Sequence, residues 1–271
     1  MYLFQNLTSY DDYLNKYELH NKLGFERDES IEFMTTDVAI RNDLNESVPK
    51  SPVYGDLIRL HHLILSRKVT TVLEFGVGMS TVVFNDALKI NEKKHGDYVK
   101  SHLRNENPFR CYSIDTSEKW INETRERYQT SNVVYHLTNN TMQTFNGRIC
   151  SLYDNLPNIF PDLIYIDGPC RYYVEGDVRG ISSNSASGLP MSADVLAMEH
   201  FLAPGTLIVV DGRGANARFI HANLQRRWLY SYVAEYDQHF FELVEEPLGK
   251  LNKIQLDYCL GADFYDRVST S

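Results

Sequence analysis

Small, acidic and glycine residues follow an apolar segment near the start of the chain, and their types and spacing suit the binding of a small molecule. Residues 70–75 contain Glu74 and are followed by Gly76 and Gly78. Glycine lets the backbone turn tightly and approach a ligand closely. A helix that begins just beyond the turn would direct its free N–H groups to the same place. The turn therefore predicts a ligand site.

Three further apolar segments each end on an aspartate: Asp115, Asp167 and Asp211. A carboxylate accepts two hydrogen bonds at once, takes a proton in acid–base catalysis, or ligates a divalent cation. Asp167 and Asp211 are expected to end adjacent strands and to face the reacting group. Their carboxylates could there act as acid–base groups or bind Mg2+, and both alternatives are kept. Arg213 is expected to lower the pKa of Asp211 and to repel a divalent ion, which favours the metal-free alternative. In that alternative Arg213 pairs with Asp167 or Asp211, or holds an anionic substrate.

A long polar loop, 168–191, separates Asp167 from the next predicted helix. Loops of this length between a strand and a helix are often functional. Arginine and tyrosine side chains suit a polar, anionic or sugar-like ligand. The alternative is a solvated loop whose charges pair among themselves. The predicted substrate-binding residues of the loop are Arg171, Tyr172, Tyr173 and Arg179.

The elements that must position these residues alternate between strand and helix. Short apolar runs with acids or glycines at their ends are typical of buried parallel strands, and helices are predicted between them. The fold class is therefore α/β, a Rossmann-like and mostly parallel sheet flanked by helices, with an antiparallel strand pair at 227–246. In such sheets, ligands bind at the carboxyl ends of the strands. The predicted parallel strands are 70–75, 109–115, 132–137, 161–167 and 204–211.

Two units are predicted along the chain: an irregular cap with a few short helices at 1–50, and the Rossmann-like domain at 51–271. The polar residues 91–108 predict a loop inserted before the second strand. A further strand is predicted at 252–260, and a helix at 192–202.

Four segments, taken in order, resemble motifs of the class I S-adenosylmethionine (SAM)-dependent methyltransferases. "VLEFGVGMS" at 72–80 resembles the first motif and "YSIDTSEKW" at 112–120 the second. "PDLIYIDGP" at 161–169 resembles the fourth motif, and "PGTLIVVDGR" at 204–213 the fifth strand. The resemblance runs from about residue 51 to 233.

The resemblance implies that the chain binds SAM. The turn Gly76–Gly78 would lie against the methionine part of the cofactor, with Glu74 near its amino group. Asp115 would accept hydrogen bonds from the two ribose hydroxyls, and a polar residue after the third strand would contact the adenine. The implied cofactor-binding residues are Glu74, Gly76, Gly78, Ser80, Thr81, Asp115, Thr116, Asn139, Asn140 and Asp167.

The function that follows from the resemblance is methyl transfer to a small polar acceptor, with O-methylation expected and Asp167, Asp211 and Arg213 as catalytic candidates. Similar O-methyltransferases use Mg2+, but they carry a further Asp or Asn where this chain has Gly212. A non-catalytic protein of the same fold is one alternative. An NAD-dependent enzyme is another, which Glu74 and Thr81 disfavour because a dinucleotide turn has a third glycine and no acid beside the pyrophosphate.

The charge and the chain ends bear on partners and location. The 271 residues carry a formal net charge of −9, so no general attraction to nucleic acid or to an anionic membrane is expected. The N-terminus lacks a basic start followed by an apolar run, and the four cysteines are scattered, which together predict a cytoplasmic protein with reduced thiols. The predicted partner is a small-molecule acceptor, and a homodimer is left open.

Overall fold

The computed structural model describes residues 2–23, 53–185 and 187–270. The described strands are β1 Thr71–Phe75, β2 Arg110–Asp115, β3 Val133–Leu137, β4 Asn140–Phe145, β5 Arg148–Tyr153, β6 Leu163–Ile166, β7 Val174–Glu175, β8 Leu207–Asp211, β9 Trp228–Val233 and β10 Gln238–Leu243. The described helices are α1 Tyr10–Tyr17, α2 Leu19–Leu23, α3 Tyr54–Ser66, α4 Met79–His102, α5 Glu118–Arg127, α6 Asp194–Ala197, α7 Gly214–His221, α8 Lys250–Cys259 and α9 Ala262–Thr270.

The main sheet has the strand order β3-β2-β1-β6-β8-β10-β9. The first five of these strands run parallel, and β10 is antiparallel to both of its neighbours. This is the class I methyltransferase fold, and it confirms the predicted mostly parallel sheet with an antiparallel C-terminal pair. The register places the ends of β1, β2, β6 and β8 side by side at one edge.

Alternate residues of the central strands enter two separate cores, as the two-residue period of a strand requires. Val72 and Val209 pack on one face with α3 and α4, whereas Leu73 and Val210 pack on the other with α6 and α7. Because the central strands are covered on both faces, they are apolar at nearly every position. An acid within such a strand must find its partners inside the protein.

A β-hairpin, β4–β5, connects β3 to β6 where a Rossmann-like fold ordinarily has a helix. The sequence analysis did not predict it. Asn146 and Gly147 form its turn with φ of 48° and 74°, and Asn-Gly is the strongest short signal of such a turn. Strand β7 pairs with β4 to complete a second sheet of order β5-β4-β7.

Two predicted elements are wrong. The first part of the predicted loop 91–108 is helical, because α4 continues to His102. The buried Asn91 amide donates to the carbonyls of Ile64 (2.9 Å) and Val69 (3.0 Å), so a polar residue there serves the helix packing.

The predicted strand at 252–260 belongs instead to helix α8. Its buried Leu256 packs with Phe264 and Val268 of α9, and Leu260, four residues further on, lies against the same cluster. Residues four apart lie on the same face of a helix, so both leucines can face α9. The helix predicted at 192–202 is shorter than expected, with α6 followed by a 3-10 turn at Glu199–Phe201.

The described part of the predicted cap contains the short helices α1 and α2. Their residues Tyr13, Leu19 and Leu23 are buried in the core on the α3–α4 face of the sheet. Residues 24–50 lie outside the described part of the chain. Among the helices that the structure describes, none is both long and apolar enough to cross a membrane.

Candidate functional site

The candidate site lies at the edge where β1, β2, β6 and β8 end. Phe75, the last residue of β1, is in register with Ile114 of β2 and Ile166 of β6. The residues that follow, among them Asp115 and Asp167, therefore lie side by side at the end of the sheet. The structure thus brings together the turn and the three aspartates that the sequence analysis singled out.

Glu74 is completely buried beneath the turn. Its carboxylate accepts hydrogen bonds from the hydroxyls of Ser80 (2.5 Å), Thr81 (2.7 Å) and Ser113. Burial raises the pKa of Glu74 to about 7, although the three hydroxyls oppose the shift. Thr81 also accepts from the backbone N–H of Gly78 at 3.1 Å. Glu74, Ser80 and Thr81 therefore hold the start of α4 against β1 and β2.

Two glycines allow the turns after β1 and β6 to touch. Gly76 has a φ of +106°, which side-chain-bearing residues rarely adopt. A Cβ on Gly168 would lie 2.8 Å from the backbone nitrogen of Gly76 and 2.9 Å from the carbonyl carbon of Phe75. A Cβ on Gly78, by contrast, would meet no described atom within 4 Å. The β1 turn is thus closed against β6 at Gly76 and has open space at Gly78.

Asp115 ends β2 and reaches across to this turn. Its Oδ2 accepts from the backbone N–H of Val77 at 2.9 Å, and its Oδ1 accepts from the backbone N–H of Ser117 at 2.7 Å. Burial raises the pKa of Asp115, while backbone donors that include Thr116 oppose the rise. A carboxylate has about four lone-pair sites, so Asp115 keeps acceptor capacity for a ligand at the turn.

The two candidate asparagines differ in position. Asn139 is exposed, whereas Asn140 begins β4 and has no exposed surface. Both amide atoms of Asn140 lack a hydrogen-bond partner among the described residues. A buried polar group is ordinarily paired, so this donor–acceptor edge is what a base with neighbouring donor and acceptor atoms would satisfy.

Arg213 is directed towards the loop after β6. Its Nη1 donates to the carbonyl of Pro169 at 2.9 Å, and its Nη2 donates to the carbonyl of Asp167. Its Nε also lies 3.5 Å from the Asp167 carboxylate, whose side chain is 59% exposed. Arg213 therefore fastens the ends of β6 and β8 to each other.

Asp211 has different neighbours. Its carboxylate accepts from the Tyr165 hydroxyl at 2.6 Å and from the Gln238 side chain. Burial raises the pKa of Asp211 to about 8, and the charges of Asp56 and Asp167 add to the rise. The prediction that Arg213 lowers this pKa is wrong, because the guanidinium is directed towards Asp167.

Asp56 is a site residue that the sequence analysis missed. It lies in the first turn of α3, where Arg59 donates to it and Gln238 donates at 3.2 Å. Arg59 also donates to Gln238 at 3.2 Å. Burial raises the pKa of Asp56 to about 6. No sequence signal marks Asp56, because it reaches Asp211 only through Gln238, which the antiparallel strand β10 brings back beside β8.

The predicted substrate-binding residues lie in the loop that follows β6 and contains the short strand β7. Arg171 donates to the carbonyl of Gly188 at 3.2 Å and to the Tyr172 hydroxyl at 3.0 Å. Tyr173 and Arg179 are exposed, and β7 follows Tyr173 directly. Arg171 and Tyr172 thus bind parts of their own loop, and the substrate role of all four residues stays a prediction.

The described residues contain no group of three or more His, Cys, Asp or Glu side chains that could hold a metal ion. Asp167 and Asp211, the two expected metal candidates, differ in environment, since one is exposed and the other is enclosed by Tyr165 and Gln238.

No protein-family model and no curated protein matches this chain. Among the solved structures that are similar to it is the O-methyltransferase TomG from Streptomyces achromogenes, which is involved in tomaymycin synthesis and was crystallised in complex with SAM. The two chains are 15% identical, and the match covers 89% of this chain and 93% of TomG, with a TM-score of 0.38.

Proposed function

We propose that this protein is a SAM-dependent methyltransferase that acts on a small polar acceptor, with transfer to oxygen. The observation that carries the proposal is the position of Asp115. Its carboxylate is held 2.9 Å from the backbone N–H of Val77, within the turn Gly76–Gly78, and it keeps lone pairs for a ligand. An acid beside this turn suits a ligand with neutral hydroxyls or a positive charge.

The same contacts argue against NAD as the cofactor bound at this turn. A dinucleotide pyrophosphate binds to free N–H groups at the start of the first helix. Here the N–H of Gly78 donates to Thr81, and the N–H of Val77 donates to Asp115. The N–H groups of Val77 and Gly78, just before the helix, are therefore engaged, and the carboxylate of Asp115 would repel a phosphate placed beside them.

The proposed roles follow from these positions. SAM, when bound, supplies an electrophilic methyl group. The turn Gly76–Gly78, Asp115 and Asn140 would hold it. Asp211 is the proposed base in its ionised form, since a carboxylate whose pKa is raised to about 8 takes a proton from an acceptor hydroxyl more readily than an ordinary aspartate does. Arg213 would position Asp167 and its loop beside the acceptor.

The substitution Asp115→Asn tests the cofactor site. It keeps the size of the side chain but removes the charge and one acceptor oxygen. Hydrogen bonds to charged groups are worth roughly 1.5–3 kcal/mol, so calorimetry should show S-adenosylhomocysteine binding weakened about tenfold or more. The exposed Asp97→Asn on α4 removes the same charge away from the site and should bind as the parent does.

Equal affinity of the parent and Asp115→Asn, with both folded, would refute this site. A methyl-transfer assay with labelled SAM and a panel of hydroxyl-bearing and amine-bearing acceptors then separates an enzyme from a binding protein. Transfer that Asp211→Asn abolishes supports the proposal, whereas tight cofactor binding without transfer to any acceptor favours the non-catalytic alternative.

A further inference from the structure

Tyr153, the last residue of the hairpin strand β5, packs beside the end of β1. The Tyr153 ring stacks on Phe75 at the end of β1, with 5.4 Å between the ring centroids and 21° between the ring planes. Tyr153 also pairs with Asn140 across the hairpin, so the two side chains share one face. This face lies where an ordinary Rossmann crossover would place a helix.

The Tyr153 hydroxyl is buried and has no hydrogen-bond partner within the described parts of the chain. The same holds for both amide atoms of Asn140. Two neighbouring residues thus bury three unpaired polar atoms, although such atoms are ordinarily paired because burial strips them of water. Unpaired buried polar atoms lower the stability of the folded protein. A bound molecule that forms hydrogen bonds with them would offset this loss.

The stacking on Phe75 and the pairing with Asn140 place Tyr153 beside the candidate site, and the charges that act on its phenol agree with this position. They belong to Asp115 after β2, Arg213 after β8, Cys170 after β6 and the buried Asp194. Three of these four groups lie at the strand ends that form the candidate site. Burial and the carboxylates of Asp115 and Asp194 hold the pKa of Tyr153 well above its ordinary value, so the phenol keeps its proton and acts as a donor.

Asp194 does not accept a hydrogen bond from the Tyr153 hydroxyl. Its carboxylate accepts from the Ser192 hydroxyl at 2.6 Å and from the backbone N–H of Tyr153 at 3.0 Å. Because the Tyr153 hydroxyl donates neither to Asp194 nor to any other described residue, an acceptor for it is to be sought outside the described parts of the chain.

We infer that the Tyr153 hydroxyl binds the nucleoside part of the cofactor, as the partner of Asn140 in one polar subsite. The inference rests on the proposed function. A nucleoside is favoured because its ring nitrogens and sugar oxygens are neutral acceptors for a phenol. The amide of Asn140 offers the neighbouring donor and acceptor that pair with an adenine edge. Tyr153 is a binding residue here, and no part in proton transfer is assigned to it.

The test compares Tyr153→Phe with Tyr135→Phe. Both changes remove one phenol oxygen, but the Tyr135 hydroxyl already has a partner in Thr130 at 2.9 Å. Affinities for S-adenosylhomocysteine and for 5′-methylthioadenosine, which lacks the amino acid part, would be measured by calorimetry. Melting temperatures would be measured without ligand.

For Tyr153→Phe we expect both affinities to fall about tenfold, with a melting temperature equal to or above that of the parent because an unpaired buried hydroxyl is gone. Tyr135→Phe should keep both affinities. A lower melting temperature with unchanged affinities would make the hydroxyl structural and overturn the inference. Weaker binding of S-adenosylhomocysteine alone would place the contact at the amino acid part, which also overturns it. If the parent binds neither ligand, the proposed function itself fails.

Discussion

Burial opposes the ionisation of Asp211, and the negative charges of Asp56 and Asp167 add to this effect. The hydrogen bond that Asp211 accepts from the Tyr165 hydroxyl acts in the other direction. The ordinary pKa of an aspartate is 3.8, and that of Asp211 in the folded protein is about 8. Between these two values the folded state keeps a proton that the unfolded state releases. Rising pH over this window therefore costs the folded state stability.

The substitution Asp211→Asn removes this dependence on pH. The melting temperature of the variant relative to the parent should rise between pH 5 and pH 8 and level off above pH 8. The raised pKa of Glu74 affects both proteins equally and cancels in the difference. Thermal melts at half-unit pH steps measure the effect, with Asp97→Asn as the control. A difference that is constant with pH, or that shrinks as the pH rises, would contradict the position given to Asp211.

Sequence patterns identified the residues at the strand ends but not their contacts. Asp115 and Asp211 could be found because each follows an apolar run. The three hydroxyls on Glu74 could not be foreseen, since Ser113 reaches it only through the register of β1 and β2. The pairing of Arg213 with Asp167 was one of the alternatives that the sequence offered. The bonds of Arg213 to the β6 loop could not be foreseen, because they depend on where the carbonyls of that loop lie.

At the scale of elements, the contact between the β1 and β6 turns decides the shape of the site. The substitution Gly168→Ala would place a Cβ 2.8 Å from the backbone nitrogen of Gly76, and backbone atoms there have little freedom to move. Overpacking of this kind costs about 1–3 kcal/mol. The free energy of unfolding should fall by that amount, and cofactor binding should weaken as the two turns separate.

The matched control is Gly96→Ala on α4, where the added methyl meets no described atom within 4 Å. It should raise the free energy of unfolding by roughly 0.5–1 kcal/mol, because alanine loses less entropy than glycine in a helix. Denaturant titration measures both variants. If Gly168→Ala is as stable as the parent and binds the cofactor equally well, the two turns are not in contact.

Elements with a strong hydrophobic period were predicted well, and those shaped by tertiary contacts were not. The central strands are apolar runs bounded by Gly or Asp, so β1, β6 and β8 were recognised. The second half of α4 has few apolar residues and is held through Asn91, which a polarity pattern assigns to a loop. The hairpin β4–β5 carried a usable signal in Asn146-Gly147 that was not used.

At the scale of the whole molecule, the sheet brings groups from distant parts of the sequence to one edge. Asp56, Asp115, Asp167 and Asp211 meet there with Arg59 and Arg213, and both arginines already have carboxylate partners. Among the described residues named here, four carboxyl groups thus stand against two guanidinium groups, although Asp211 keeps its proton near neutral pH. Of the acceptors considered, this favours a neutral hydroxylated molecule over the anionic one.

The central claim is that the turn Gly76–Gly78 and Asp115 bind SAM. Calorimetric titration of the parent protein with S-adenosylhomocysteine, and separately with NAD, tests it most directly. We expect saturable binding of S-adenosylhomocysteine at one molecule per chain and no binding of NAD, because the turn's N–H groups are engaged by Asp115 and Thr81. Binding of NAD in place of S-adenosylhomocysteine, or of neither by the folded protein, would contradict the claim.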